Sequence, residues 1–183
     1  MDRFVALYRG INVGGRNAVK MEALRAMHER LGHKDVSTYI QSGNVVFSAK
    51  GQPAPLTKKI AAQFALDHGF TARVIVVPAS RWATLVTDNP YAKFAQKDPK
   101  SVHAAICDGP PSAKGLRGLL AKAGGTETFV IKGEVLYLHA PDGFGTSKFA
   151  AGMEKASGVP MTARNWRTVE ALSKLINPLG RIP

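Results

Sequence analysis

Two clusters of residues have the types and the spacing for anion chemistry. The first joins the run Arg9-Gly10-Ile11-Asn12-Val13-Gly14-Gly15-Arg16-Asn17 to Gln41-Ser42-Gly43-Asn44. Glycines let backbone N–H groups approach an anion and accept positive φ. Successive N–H groups in such a turn form a nest for oxygens, and a following helix start adds its dipole. Arg9 or Arg16 can fork onto a phosphate or carboxylate. Gln41 and Asn44 can read a base or amide edge. Gly10, Asn12, Gly14, Gly15, Arg16, Gln41, Ser42 and Asn44, with Arg9, are the candidate ligand-binding residues. The plainer alternative is a loop whose glycines make tight turns and whose Asn12 caps backbone.

The second cluster joins Asp142-Gly143-Phe144-Gly145-Thr146-Ser147-Lys148 to Thr162-Ala163-Arg164-Asn165-Trp166-Arg167-Thr168. Ser147, Lys148, Arg164 and Asn165 suit an anion, with Trp166 as a stacking platform. The alternative is Ser147 as an ordinary helix cap and Trp166 as an anchor for the C-terminal helix.

Several chemistries have no signature. The glycine run is neither G-x-x-x-x-G-K-[ST] nor G-x-G-x-x-G, which removes the Walker loop and the dinucleotide fingerprint. The five histidines have no metal-ligand spacing, and Cys107 is the only cysteine, so no metal site is expected. No carboxylate pair suggests glycosidase chemistry. Ser42 sits at a hairpin tip, outside any G-x-S-x-G elbow. His139 near Asp142 is the one acid/base pairing the sequence offers. No cofactor and no catalytic residue can be named.

The elements that must hold these clusters form a duplicated pattern. Thr38, Tyr39, Ile40, Gly43, Val45, Val46 and Phe47 align with Thr128, Phe129, Val130, Gly133, Val135, Leu136 and Tyr137. Around the first hairpin, strands are expected at Phe4–Arg9, Val36–Gln41, Val45–Ser48 and Ala72–Val77. Helices are expected at Val19–Leu31, with Asn17 as its cap, and at Leu56–His68. The second half repeats the order, with strands at Val102–Cys107, Glu127–Lys132, Val135–His139 and Pro160–Arg164. Its helices are Ser112–Ala123 and a segment from Ser147 to Ala156. Strand, helix, strand, strand, helix, strand is the split βαβ, or ferredoxin-like, unit. The fold class is therefore α+β, a tandem pair of antiparallel sheets. The expected organisation is a first unit over 1–79, a connecting helix and polar loop over 80–100, a second unit over 101–166, and a C-terminal helix and tail over 167–183. In this topology the loop after strand one and the hairpin tip share an end. Both faces of the central strands are apolar, so the face without helices needs cover.

The chain has 183 residues, 45% hydrophobic and 21% charged, which fits a globular protein. No apolar run approaches the ~20 residues that span a bilayer, and no signal peptide is read at Met1-Asp2-Arg3-Phe4. Cys107 is expected in a buried strand, and a lone cysteine suits a reducing, cytoplasmic setting. A monomer is the working expectation. Net charge is +12: residues 1–90 carry twelve Lys/Arg against six Asp/Glu, and residues 91–183 thirteen against seven. That excess raises attraction to any polyanion without naming one.

Leu7-Tyr8-Arg9-Gly10-Ile11-Asn12-Val13-Gly14-Gly15, then Lys20-Met21 and Leu24, then Thr38–Phe47, closely resemble the bacterial family known as domain of unknown function 1697. Thr162–Val169 matches it as well. Tyr8 stands where leucine is common in that family, a conservative change on a strand. The resemblance implies a duplicated ferredoxin-like fold and no known activity. It also implies that the Arg9–Gly15 loop, the Gln41–Asn44 tip and Arg164–Trp166 are kept among relatives, as a site would be.

Three functions follow as alternatives. One is a small anionic or nucleotide-like ligand on the glycine loop and tip. Another is RNA or single-stranded DNA on a basic surface, although the RNP1 pattern of RRM domains is absent around Gly43–Phe47. The third is a structural or protein-interaction module.

Overall fold

The computed structural model describes residues 1–177. The end of the expected tail, 178–183, lies outside the described residues. The described chain divides into two compact units: residues 1–84 with 171–177, and residues 85–170.

In the first unit, β1 (Asp2–Arg9) lies between β3 (Asn44–Ala49) and β4 (Arg73–Pro78), antiparallel to both. β2 (Lys34–Thr38) forms the edge beside β3, giving the order β2-β3-β1-β4. Helices α1 (Met21–Arg30) and α2 (Pro53–His68) complete a split βαβ unit. Strand alternation sends Phe4, Ala6 and Tyr8 to the helix side, where they meet Leu24, Met27, Ile60 and Phe64 in one core. Each Phe, Leu, Met or Ile among them contributes roughly 1.5–3 kcal/mol of burial. Val5, Leu7 and Val46 point the other way and are equally buried, so protein covers that face too. Arg3 Nη2 donates to the Leu175 carbonyl at 2.8 Å, and Trp82 Nε1 donates to Ser173 Oγ at 3.0 Å. These bonds tie the C-terminal residues to their own unit.

The second unit repeats the topology with β5 (Val102–Cys107), β6 (Thr128–Lys132), β7 (Val135–His139) and β8 (Met161–Asn165) in the order β6-β7-β5-β8. Its helices α5 (Ala113–Ala123) and α6 (Lys148–Ser157) cover a core of Ala105, Cys107, Leu136, Leu138, Phe149 and Met161. The free thiol of Cys107 is buried in its strand. α3 (Ala79–Thr87), α4 (Ala92–Lys97) and α7 (Trp166–Ile176) are additions to the repeat. No helix among the described residues is long and apolar enough to cross a membrane.

Three local expectations are corrected. Asn17 does not cap α1: Lys20 is the N-cap and offers no side-chain bond, while Asn17 Nδ2 donates to the Gly10 carbonyl at 2.8 Å. The polar connection after α3 contains a helix, α4. The hairpin match is real as topology but not residue by residue. Val45 and Phe47 face the helices of their sheet, whereas the aligned Val135 and Tyr137 face away from theirs, where Leu136 and Leu138 take the core positions. The turns differ too: β6 and β7 close tightly, pairing Lys132 with Val135, while Thr38 pairs with Val45 across a longer tip.

Candidate functional site

The glycine loop is a miniature hairpin. Arg16 N–H donates to the Val13 carbonyl at 3.0 Å, with Gly14 (φ 57) and Gly15 (φ 74) as its tip. Two consecutive left-handed residues are what a tight hairpin turn of this hand requires. One step back, Asn12 N–H donates to the Asn17 carbonyl at 3.0 Å.

Asn12 joins this loop to its neighbours. Its Nδ2 donates to the Gln41 carbonyl at 2.8 Å and to the Val19 carbonyl at 3.0 Å, and its Oδ1 accepts from Val19 N–H at 2.7 Å. The shared end expected from topology is therefore held by one side chain. Asn44 is buried and braces the tip, with Nδ2 donating to the Tyr39 carbonyl at 3.0 Å and to Ser42 Oγ at 2.8 Å. Gly43 (φ 73) completes the joint by accepting from Tyr8 N–H at 2.8 Å. A Cβ on Gly43 would lie 2.6 Å from both Tyr8 Cβ and Ile11 Cδ1. Asn12, Asn17 and Asn44 thus build the scaffold. Arg9, Arg16 and Gln41 are the exposed polar side chains around it.

Register adds a residue that sequence reading missed. Arg73 pairs with Arg9 across β4 and β1, on the sheet face that carries Leu7 and Ile75. The signal was available, because an antiparallel β4 must start where β1 ends. The loop and tip contain no acidic residue. Two exposed apolar residues flank the Asn12–Gln41 bond: Val13 is 65% exposed and Ile40 51%. Ile40 also holds φ 48. A β-branched side chain in the left-handed region is strained by about 1–3 kcal/mol, and such strain gathers at functional positions.

Behind Tyr8 lies a buried polar chain that the sequence did not reveal. Tyr8 Oη and His28 Nε2 are 2.8 Å apart, and His28 Nδ1 and His33 Nδ1 are 3.0 Å apart. The chain is satisfied when Tyr8 O–H donates to His28 and His28 Nδ1–H donates to His33. Burial lowers the His28 pKa to about 3, with His33 as a second cause. Burial and then the Lys59 ammonium lower His33 to about 4. Burial raises the Tyr8 hydroxyl. The spacing of His28 and His33, five residues across a helix end, was the available sign.

In the second unit the expected residues hold local structure. Ser147 Oγ accepts from Ala150 N–H at 3.0 Å and caps α6, with exposed Lys148 as its first residue. Asn165 Oδ1 accepts from Thr168 N–H at 2.9 Å in the first turn of α7. Asn165 pairs with His103, and the His103 ring stacks on Phe144 at 4.1 Å, so the end of β8 and the loop before α6 do share an end. Arg164 Nη1 donates to the Ala163 carbonyl at 2.9 Å, and desolvation lowers its pKa to about 10. Trp166 is 5% exposed, so its ring is packed and does not offer a stacking face. His139 and Asp142 do not pair: His139 stacks on Phe94, and Asp142 Oδ2 accepts from Thr126 Oγ1 at 2.6 Å.

A family model described as "Protein of unknown function (DUF1697)" matches residues 1–137, three quarters of the chain. The chain belongs to this family. The match takes in the whole glycine loop, the hairpin tip and the Tyr8–His28–His33 chain. Among solved structures, the conserved bacterial protein SP0830 from Streptococcus pneumoniae is similar at 20% identity, with a TM-score of 0.73 over 96% of this chain and 98% of that one. That likeness shows the shared fold across both units. No curated protein matches the chain.

Proposed function

We propose that the glycine loop and hairpin tip of the first unit bind a small anionic ligand with a flat or apolar portion, such as a nucleotide-like molecule. The observation that carries this reading is where the charge falls. Residues 1–84 and 171–177 contain thirteen Lys/Arg against five Asp/Glu, whereas residues 85–170 contain eleven against eight. The two sequence halves had equal excess, but the folded unit that owns the loop has most of it. Arg9 and Arg73 sit side by side in register at that end, which gathers two cations beside the loop. Exposed, strained Ile40 supports an occupant with an apolar or ring face. Arg16 would supply charge, and Gln41 a polar edge. Ser147, Lys148, Arg164, Asn165 and Trp166 belong to the second unit, and this reading does not draw on them. The reading takes the protein to be a cytoplasmic monomer.

A thermal-shift screen against nucleotides, sugar phosphates and carboxylates tests it. One class should raise Tm, and Arg16→Ala should remove the shift. An unchanged shift in that variant, or no stabilising class, would reject the site.

A further inference from the structure

Away from the glycine loop, the second unit presents one exposed aromatic ring in an ordered setting. Among the described residues, the exposed large apolar side chains are Met1, Val13, Ile40, Leu66 and Phe94, and Phe94 alone is aromatic. It is 48% exposed on α4. One side of its ring is stacked on His139, with centroids 4.1 Å apart and planes at 26°. Tyr91 backs the pair at 6.2 Å from Phe94 and 5.7 Å from His139. Tyr91 is itself buried and pinned, since its N–H donates to Asn89 Oδ1 at 2.9 Å. The ring is thus backed on one side by His139 and Tyr91, while about half of Phe94 is open to solvent.

Three lysines share its segment: Lys93 next to it in sequence, Lys97 about one turn along α4, and Lys100 past the helix end. Lys93, Lys97 and Lys100 are exposed. One acid shares the segment: Asp98 Oδ1 accepts from Lys100 N–H at 3.0 Å and keeps its charge, so residues 91–100 carry three lysines against one aspartate. An exposed aromatic face on a segment with a cationic excess matches the two parts of a nucleotide in a strand, base and phosphate. An acidic peptide would answer the lysines and leave the ring unmatched.

We propose that Phe94, stacked on His139 and flanked by Lys93, Lys97 and Lys100, is a stacking platform for single-stranded nucleic acid. The contact reads no sequence, because every base has a π-face. It does not depend on the glycine loop.

The test uses the full chain and fluorescence anisotropy at low salt with a short fluorescein-labelled oligouridylate and an abasic oligonucleotide of equal length. Phe94→Ala should weaken oligouridylate binding roughly 5- to 150-fold. The same variant should leave abasic binding unchanged. Phe94→Leu, which keeps apolar packing on His139, should lose nearly as much as Phe94→Ala, and circular dichroism should show both variants folded. Replacing Lys93, Lys97 and Lys100 with Gln should reduce the salt slope by about 2. Equal affinity for the two probes, an unchanged Phe94→Ala, or no binding overturns the proposal. So does an acidic peptide that binds and shows the Phe94→Ala loss, which would assign the face to a protein partner. Arg16→Ala should leave this binding intact, so failure here and failure of the glycine-loop site are separately readable.

Discussion

Lowering pH from 7 to 5 should destabilise the protein through His28 and His33. The two rings sit in the core of the first unit, at 0% and 4% exposure, and their facing Nδ1 atoms share one hydrogen. A proton on both rings would set two N–H groups against each other at 3.0 Å. Lys59, whose Nζ lies 3.5 Å from the Leu31 carbonyl, adds positive charge near His33. Both folded-state values, about 3 and about 4, lie below the 6.5 of a free imidazole. The unfolded chain therefore binds more protons below pH 6.5. Stability is complete above that value, falls as pH drops through the window, and levels off near pH 4 for His33 and near 3 for His28. Each unit of pKa difference is about 1.4 kcal/mol. At pH 5 the loss is then about 2 kcal/mol for one ring and about 4 kcal/mol for both. Burial also lowers His103 in the second unit, to about 4, so a His103→Gln background isolates the pair. Urea unfolding at pH 7 and 5 measures the difference, and NMR of the ring protons follows each histidine. A loss under about 1 kcal/mol in that background, or either ring titrating near its free value, refutes the reasoning.

Three further outcomes can be checked by urea midpoints. Gly43→Ala should cost about 3 kcal/mol, because its Cβ would meet Tyr8 and Ile11 at 2.6 Å in a left-handed backbone; a neutral variant would mean that the tip moves freely. On α5, Gly115→Ala should destabilise, since its Cβ would strike the Ala156 carbonyl of α6. Gly118→Ala, with nothing within 4 Å, should stabilise by about 0.5–1 kcal/mol; similar effects at both positions would contradict this packing. Ile40→Gly should raise the unfolding free energy by up to about 1 kcal/mol while weakening any ligand-induced shift; a fall in stability would show that Ile40 is packed rather than strained.

Much was legible before any coordinates. The alternation in Phe4–Arg9 and Val45–Phe47, and the order of strands and helices, were enough for the split βαβ units. Topology then brought the glycine loop beside Gln41–Asn44. Backbone detail was less legible. Asn17 looked like a cap because Asn favours caps, but Asn also tolerates positive φ, and here it closes a miniature hairpin at φ 54. The segment that became α4 carries Asn-Pro and Asp-Pro breaks on either side, which hid six helical residues. The aligned hairpins matched in residue type, yet their faces are exchanged, because a string comparison does not see which side of the pleat meets the helices.

The sequence by itself determined the element order, the antiparallel sheets and the residue types gathered at the loop, since local periodicity and turn chemistry act over a few positions. Tertiary structure decided the rest. Arg73 reached Arg9 only through strand pairing, and the charge excess fell on one unit only through the folded division of the chain. Tyr8, His28 and His33 formed one chain only where a strand, a helix and the turn after that helix met in a dry core. Those relations depend on which distant segments share space, and low dielectric there turns an ordinary histidine pair into a pH-sensitive one.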